Sequence, residues 1–416
     1  MTGGFMMSAG RLSLLAAVGV LLVGGASAQA ADLGGDCCAD LEERIAELEA
    51  TTARKGNRKV SLTVYGQVNE AIGWWDDGVE TNVYNMTNDT SRTRIGFKGK
   101  AKINSDWFAE YRIEIGIRAA GQQGMSADNV TGNAGLDLRH SSWTLGSKTY
   151  GEVTVGQTSM AHDGILQSQT ANIGHFANND IFDFPSDFII RPLANASGNR
   201  WDSLIQNREP GEGSRGNLVR YDTPEFAGFA ASAHWGEDDL WGVALRYAGE
   251  VGAFKLVGGI GYAEMSLTDE ECTSNNPSDA QCEEFGTSAS VMHMPSGIFV
   301  TGGYGIRWDL QRELAGGTEE NKHWLIQAGI EQKWTPLGKT TVFGGYQNRD
   351  AGRNEAGDDY VEVDMWELGL NQEISAAAMN LYLHYKHYEP DLTSAGGATV
   401  ATEDFQTVIG GAIIKF

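Results

Sequence analysis

From Val60 to Phe416 the chain alternates apolar and polar positions with a period of two. In 91–102, Thr93, Ile95, Phe97 and Ala101 alternate with Arg92, Arg94, Lys98, Lys100 and Lys102. In 107–118, Trp107, Ala109, Tyr111, Ile113, Ile115 and Ile117 oppose Glu110, Arg112, Glu114 and Arg118. Successive side chains of a strand point to opposite faces, so each segment has one apolar and one charged face. That contrast suits a wall with lipid on one side and water on the other. The pattern returns at Trp241, Val243, Leu245 and Tyr247 against Arg246, and at Met379, Leu381, Leu383 and Tyr385 against Asn380, His384 and Lys386. It also returns at Trp324, Ile326, Ala328 and Ile330 against Gln327 and Glu331. Trp324 and Trp334 share a parity at about the span of a tilted transmembrane strand, placing an aromatic at each interface.

Strands are expected near 60–73, 91–102, 106–119, 137–147, 150–158, 215–222, 226–235, 239–249, 252–263, 286–294, 297–309, 321–334, 339–348, 361–373, 377–388 and 404–416. The fold class is all-β, a transmembrane antiparallel β-barrel of 16 strands over 60–416. Turns such as Asn104-Ser105 and Pro336-Leu337-Gly338 alternate with polar excursions such as 263–285 and 348–360, as periplasmic and extracellular ends require. An even strand count returns both barrel ends to the periplasm. The segment 159–214 is far too long for a hairpin connection.

The N-terminus changes the compartment. Arg11, the apolar run Leu12 to Val23 and the small residues Ala26-Ser27-Ala28-Gln29-Ala30 have the layout of a secretory signal peptide over 1–30, cleaved after Ala28 or Ala30. Beyond it no stretch approaches the roughly 18 to 20 apolar residues of a transmembrane helix. The mean hydropathy of -0.30 decides nothing, because barrel strands expose apolar groups only at alternate positions. Gly 54 against Pro 8, with Trp 11 and Tyr 13, favours strands and turns over helix packing. A net charge of -24 argues against nucleic acid, which needs clustered positive charge.

Residues 31–59 form a separate region, a periplasmic helix and linker. Leu41, Ile45 and Leu48 share a helical face within 40–52, too short to stand alone. It reads either as a small coiled-coil plug or trimer clamp, or as a partly ordered leader helix. Arg54-Lys55-Gly56-Asn57-Arg58-Lys59 follows as a solvated basic spacer near peptidoglycan or headgroups. Cys272 and Cys282 bracket an acidic Asn/Ser/Pro-containing segment, and in an oxidising compartment a disulfide across that loop is expected. Cys37 and Cys38 are adjacent and poorly placed to pair with each other, and Asp36 argues against a lipoprotein site.

Several segments carry a family resemblance: Thr93-Arg94-Ile95-Gly96-Phe97-Lys98-Gly99, Arg139 followed by Tyr150-Gly151-Glu152-Val153-Thr154-Val155-Gly156-Gln157, and Val219-Arg220-Tyr221-Asp222-Thr223-Pro224. They resemble general diffusion porins over essentially the whole mature chain. Asp36 to Arg44 and Lys59-Val60-Ser61-Leu62-Thr63-Val64-Tyr65-Gly66 resemble the alphaproteobacterial branch. The resemblance implies a homotrimer in the outer membrane, among its lipid and lipopolysaccharide, with a third external loop folded inward as a constriction. The closing segment Gly410 to Phe416 ends in the aromatic that such barrels present to the assembly machinery. The expected function is passive diffusion of ions and small hydrophilic solutes through a water-filled pore.

A pore needs a constriction whose fixed charges set sign preference. Lumen parity places Arg94 and Arg112 on the wall, and the family pattern adds Arg139, with Arg215 a weaker candidate. Asp163, Asp180, Asp183 and Asp187 lie on 159–214, where they either face those arginines or cap turns and pair within the loop. Gln67 stands where enterobacterial relatives often carry a basic residue, so a mild cation preference is expected. No nucleophile with a positioned base appears, no cofactor is implied, and the histidines show no metal spacing: His384 and His387 have opposite parity. The rival reading is a substrate-selective channel, with His175, Phe176, Phe182, Phe184, Phe188 and Trp201 forming a sugar track or else packing the loop against the wall. A purely structural barrel is the third possibility.

Overall fold

The computed structural model describes residues 59–177, 184–194, 199–205, 209–236, 240–266, 281–353 and 355–416. The leader 1–30, the helical segment 40–52, Cys37, Cys38, Asp180, Phe182, Asp183 and Cys272 lie outside the described residues.

The wall strands are β1 (Thr63–Asp76), β2 in two segments (Thr81–Thr87 and Arg94–Lys102), β3 (Trp107–Arg118), β4 (Gly135–Ser147), β5 (Gly151–Ser159), β6 (Arg215–Asp222), β7 (Phe229–Gly236) and β8 (Trp241–Val251). They continue as β9 (Phe254–Ser266), β10 (Gln281–His293), β11 (Ile298–Asp309), β12 (Glu320–Thr335), β13 (Gly338–Gly352), β14 (Tyr360–Ile374), β15 (Met379–Thr393) and β16 (Phe405–Lys415). Each pairs antiparallel with its neighbour, and β1 closes on β16 from Gln67↔Lys415 to Asp76↔Gln406. The result is a closed antiparallel barrel of sixteen strands with no free sheet edge. Thr399–Val400 adds a short rung to the upper end of β15.

The alternation fixes the two faces. On β1, Val64, Val68 and Ile72 are exposed outward, while Gln67, Asn69 and Trp75 are buried within. Val300 and Ile326 are likewise exposed outward, whereas Thr301 and Gln327 are buried on the inside. Connections at one end are short, as at 252–253 and 336–337, and at the other they include 119–134 and 160–214.

Three local expectations are corrected. The Asn104-Ser105 turn spans 103–106, with Asn104 Oδ1 accepting from the backbone of Asp106 and Trp107. The strands ending at 263 and 348 run on to Ser266 and Gly352, and that expected to begin at 286 begins at Gln281, so the excursions between them are shorter. The second strand has an unexpected upper half at Thr81–Thr87, paired with β1 from Glu70↔Thr87 to Asp76↔Thr81 and separated from the lower half by a 3-10 turn at Asp89–Ser91. Its inner face is apolar as well, with Tyr84 and Met86 buried inside and Val83 exposed outside, because the lumen there holds an apolar core rather than water.

That core belongs to the segment 160–214, the third connection at the long-loop end, which folds into the barrel. Phe176, Phe184, Phe188 and Trp201 are all at most 2% exposed and pack with Trp75, Tyr84, Phe343, Tyr382, Tyr388 and Phe405 of the wall. Phe176 stacks on Tyr382 at 4.8 Å, and Trp75 meets Phe188 at 4.7 Å.

Candidate functional site

The inward loop is fastened strand by strand. Arg246 of β8 donates to the carbonyls of Ala161 (2.6 Å) and Asp163 (2.7 Å). His162 Nε2 lies 3.0 Å from Glu284 Oε1 of β10, and Glu284 Oε2 accepts from Gly211 N and from Arg307. Thr170 N donates to Ser290 Oγ at 3.0 Å, Asn172 N to Glu331 Oε2 at 2.8 Å, and Asn371 Nδ2 to the Asn172 carbonyl at 2.9 Å. Asn69 of β1 donates to the His175 carbonyl at 3.1 Å. The loop therefore follows the inner wall from β8 through β10, β12 and β14 to β1. Buried polar groups need partners, and this ladder of side-chain bonds supplies them where no sheet can.

Two glycines cut its seat. Gly286 and Gly305 are register partners on β10 and β11, and a Cβ at either would run into the carbonyl oxygen of Gly211 or Pro210. Only a bare backbone lets the returning end of the loop lie this close.

The wall left to the other side carries the expected arginines, and the structure brings them together. Glu114 of β3, 1% exposed, is their centre: Arg112 Nη2 donates to its Oε2 at 2.7 Å, Arg139 Nε to its Oε1 at 2.8 Å, and Arg94 Nη1 lies 3.7 Å from Oε1. Tyr65 joins from β1, donating to Glu114 Oε2 at 2.9 Å and accepting from Arg112 Nε at 2.9 Å. Arg215, at the start of β6, is within electrostatic reach of Arg94 and Arg139. Arg139 arrives through a β-bulge. Glu114 pairs with His140 and Ile115 with Leu138, so Arg139 is the extra residue and both it and His140 turn inward. The broken alternation at 139–143 is this bulge.

Charge balance varies along the wall. Arg118 and Arg92 have Asp89 at 2.7 and 3.4 Å, and Arg92 has Asp137 at 3.2 Å; lower down, Lys100 has Glu110 at 2.5 Å. Between them three guanidinium groups share Glu114. Gln67 is buried and donates to the carbonyls of Ser91 and Arg92, so it supports the turn inside β2.

Of the expected loop acids, Asp163 sits at the root, its Oδ2 4.0 Å from Arg215 Nη2. Asp187 pairs with Arg200 at 3.3 Å and lines a cavity of about 140 Å³ with Asp77, Asp128 and Arg191 among the long-loop ends. Asp180 and Asp183 lie outside the described residues. Burial and the neighbouring Asp187 raise Asp202 above the usual carboxylate range. Cys282 is disulfide-bonded. The aromatic side chains of the loop that are described pack against the wall, which removes the sugar track as a support for substrate selectivity. Among the described residues no group of His, Cys, Asp or Glu has the arrangement of a metal site. Sequence parity put Glu114 in the lumen but assigned it no part, and Tyr65 was missed, because only cross-strand register reveals that the two meet Arg112.

The fold is shared with solved structures. The anion-selective porin from Comamonas acidovorans superimposes with a TM-score of 0.57 at 18% identity, covering 86% of this chain and 100% of its own. The trimer form of OmpT, an outer membrane protein of Vibrio cholerae, gives 0.53 at 12% identity over 86% and 99%. Salmonella typhi OmpF, in complex with daunomycin, gives 0.51 at 14% identity over 86% and 98%. No curated protein sequence matches the chain. The family profile of Gram-negative porins matches residues 14–399. The chain thus belongs to the Gram-negative porin family and is a multi-pass outer-membrane β-barrel that forms a channel for passive diffusion.

Proposed function

We propose that this porin is a general diffusion channel of the alphaproteobacterial branch, without catalytic activity, narrowed between its inward loop and the arginine wall of β2 to β6. The observation that carries the reading is the division of the lumen: the loop is bonded to the strands from β8 round to β1, while Arg94, Arg112, Arg139 and Arg215 gather on the remaining wall. Asp163, Asp180 and Asp183 supply the opposing negative charge from the loop, while Asp187 is held by Arg200, and the two sets impose a transverse field on a passing ion. A homotrimer in lipopolysaccharide-containing membrane is the working assembly, in keeping with the trimer form among similar folds. Phe416 serves the barrel-assembly machinery, the cleaved leader covers 1–30, and Cys272 is the partner of Cys282.

Reversal potentials in a potassium chloride gradient test this constriction. Neutralising Arg94 or Arg215 is expected to move selectivity toward potassium, and neutralising Asp183 together with Asp163 toward chloride. Unchanged reversal potentials in both sets would remove these residues from the narrow zone.

A further inference from the structure

The arginine wall contains one carboxylate where the surrounding charge calls for more. Above it, Arg92 and Arg118 are matched by Asp89 and Asp137; below it, Lys100 is matched by Glu110; along the wall, Arg220 holds Asp222 at 2.6 Å. At the level between, Arg94, Arg112 and Arg139 share Glu114, and Arg215, with Asp163 of the loop 4.0 Å away, adds its charge from β6.

The donors that converge on Glu114 form an oxyanion site. Two guanidinium groups donate at 2.7 and 2.8 Å, a third stands 3.7 Å away and the Tyr65 hydroxyl donates at 2.9 Å. Planar guanidinium forks around a two-oxygen acceptor are the arrangement that recognises carboxylate or phosphate solutes. Here a side chain of the wall itself fills the position. It does so from the middle of β3, where no turn or cap needs a carboxylate.

We infer that Glu114 is a built-in counter-ion that sets the charge selectivity of the passage and keeps its arginines from trapping permeating oxyanions. An anion entering the narrow zone finds the converging donors already engaged and passes with weak, exchangeable contacts. Without the carboxylate the same donors make a binding site for inorganic phosphate or a small carboxylate, and passage of that anion becomes slow and saturable. The inference rests on the reading of this wall as the constriction.

The test compares the full-length porin with Glu114→Gln in planar bilayers. Gln keeps the size and an acceptor oxygen but removes the charge. The chloride to potassium permeability ratio is expected to rise about tenfold, since one unit charge met at roughly 6 Å in a water-filled passage weighs about threefold on each ion and in opposite senses. Inorganic phosphate should block the chloride current of E114Q in a concentration-dependent way and leave the wild type unblocked. Glu114→Asp keeps the charge and should retain the wild-type ratio, and the pair E114Q with Arg139→Gln should return the ratio toward it. Conducting E114Q channels with an unchanged ratio, or the same shift in E114D as in E114Q, overturn the inference, since a purely structural carboxylate predicts those results. If E114Q does not insert, the double variant, which leaves one guanidinium fewer without a counter-ion, decides: phosphate block at wild-type insensitivity together with a wild-type ratio supports charge balance, and a ratio displaced toward potassium contradicts it. Absence of conductance in the wild type would instead sink the channel reading on its own.

Discussion

Arg139 Nε donates to Glu114 Oε1 at 2.8 Å from the one residue of β4 that is skipped in the ladder with β3. The bulge adds a second inward side chain where regular pleating allows one, so a bonding irregularity is converted into a fixed charge in the lumen. Replacement of Arg139 by Gln removes that charge while leaving Arg112 to hold the carboxylate. The expected outcome is a roughly tenfold shift of the permeability ratio toward potassium, by the same Coulomb estimate for one unit charge acting on both ions in water. Reversal potentials of the variant and the wild type in one salt gradient measure it.

The glycine seat gives a prediction about pore size. At Gly305 a methyl group has no room, because the obstacle is the backbone carbonyl of Pro210 and not a mobile side-chain end. Gly305→Ala is expected to lift the returning end of the loop, changing single-channel conductance and opening the loop to added protease. The barrel wall should still form, since the outward half of β11 is untouched. Wild-type conductance and protease resistance in this variant would show that the loop does not rest on the two glycines.

Phe176 is the anchor of the loop core, stacked on Tyr382 and edge-on to His384 at 5.5 Å and to Phe343 at 6.0 Å. Truncation to Ala leaves a cavity that neighbours on rigid strands cannot collapse into. A loss of about 3 to 5 kcal/mol is expected for a buried aromatic of this kind. Urea unfolding of the loop, followed by the fluorescence of the adjoining buried Trp75, reads the change.

Acid should loosen the same core. Burial, with the Lys415 ammonium adding to it, pushes His175 down from its ordinary 6.5 to about 4. An imidazole kept neutral in the packed loop binds a proton more readily once released, so the released state gains protons first. The contribution is fully present above about 6.5, falls as pH drops toward about 4 and is constant below that. Hydrogen exchange of the segment around His175 should speed up across this window, and His175→Gln should flatten the response.

Much of this was legible in the chain, and the losses have physical causes. The alternation of Ile95, Phe97 and Ala101 with Arg94, Lys98 and Lys100 showed the strands and their two faces because lipid and water impose opposite demands on successive residues. It failed at Thr81–Thr87, where Tyr84 and Met86 turn inward onto Trp75 and the loop aromatics. Arg94, Arg112, Arg139 and Arg215 were named from parity and resemblance, and they do gather. What they gather around was hidden, because a shared carboxylate is a property of register between β1, β2, β3 and β4 and not of spacing within any of them. The seat at Gly286 and Gly305 was equally silent, since a glycine in a strand shows its purpose only when the backbone that lies on it is known.

The purified protein should behave as an open pathway for passive diffusion. Single-channel recording of the native protein in a planar bilayer tests it most directly. The expected result is ohmic steps whose conductance rises in proportion to salt, with no saturation by any one solute. Conductance that saturates with a particular solute, or none at all, would contradict it.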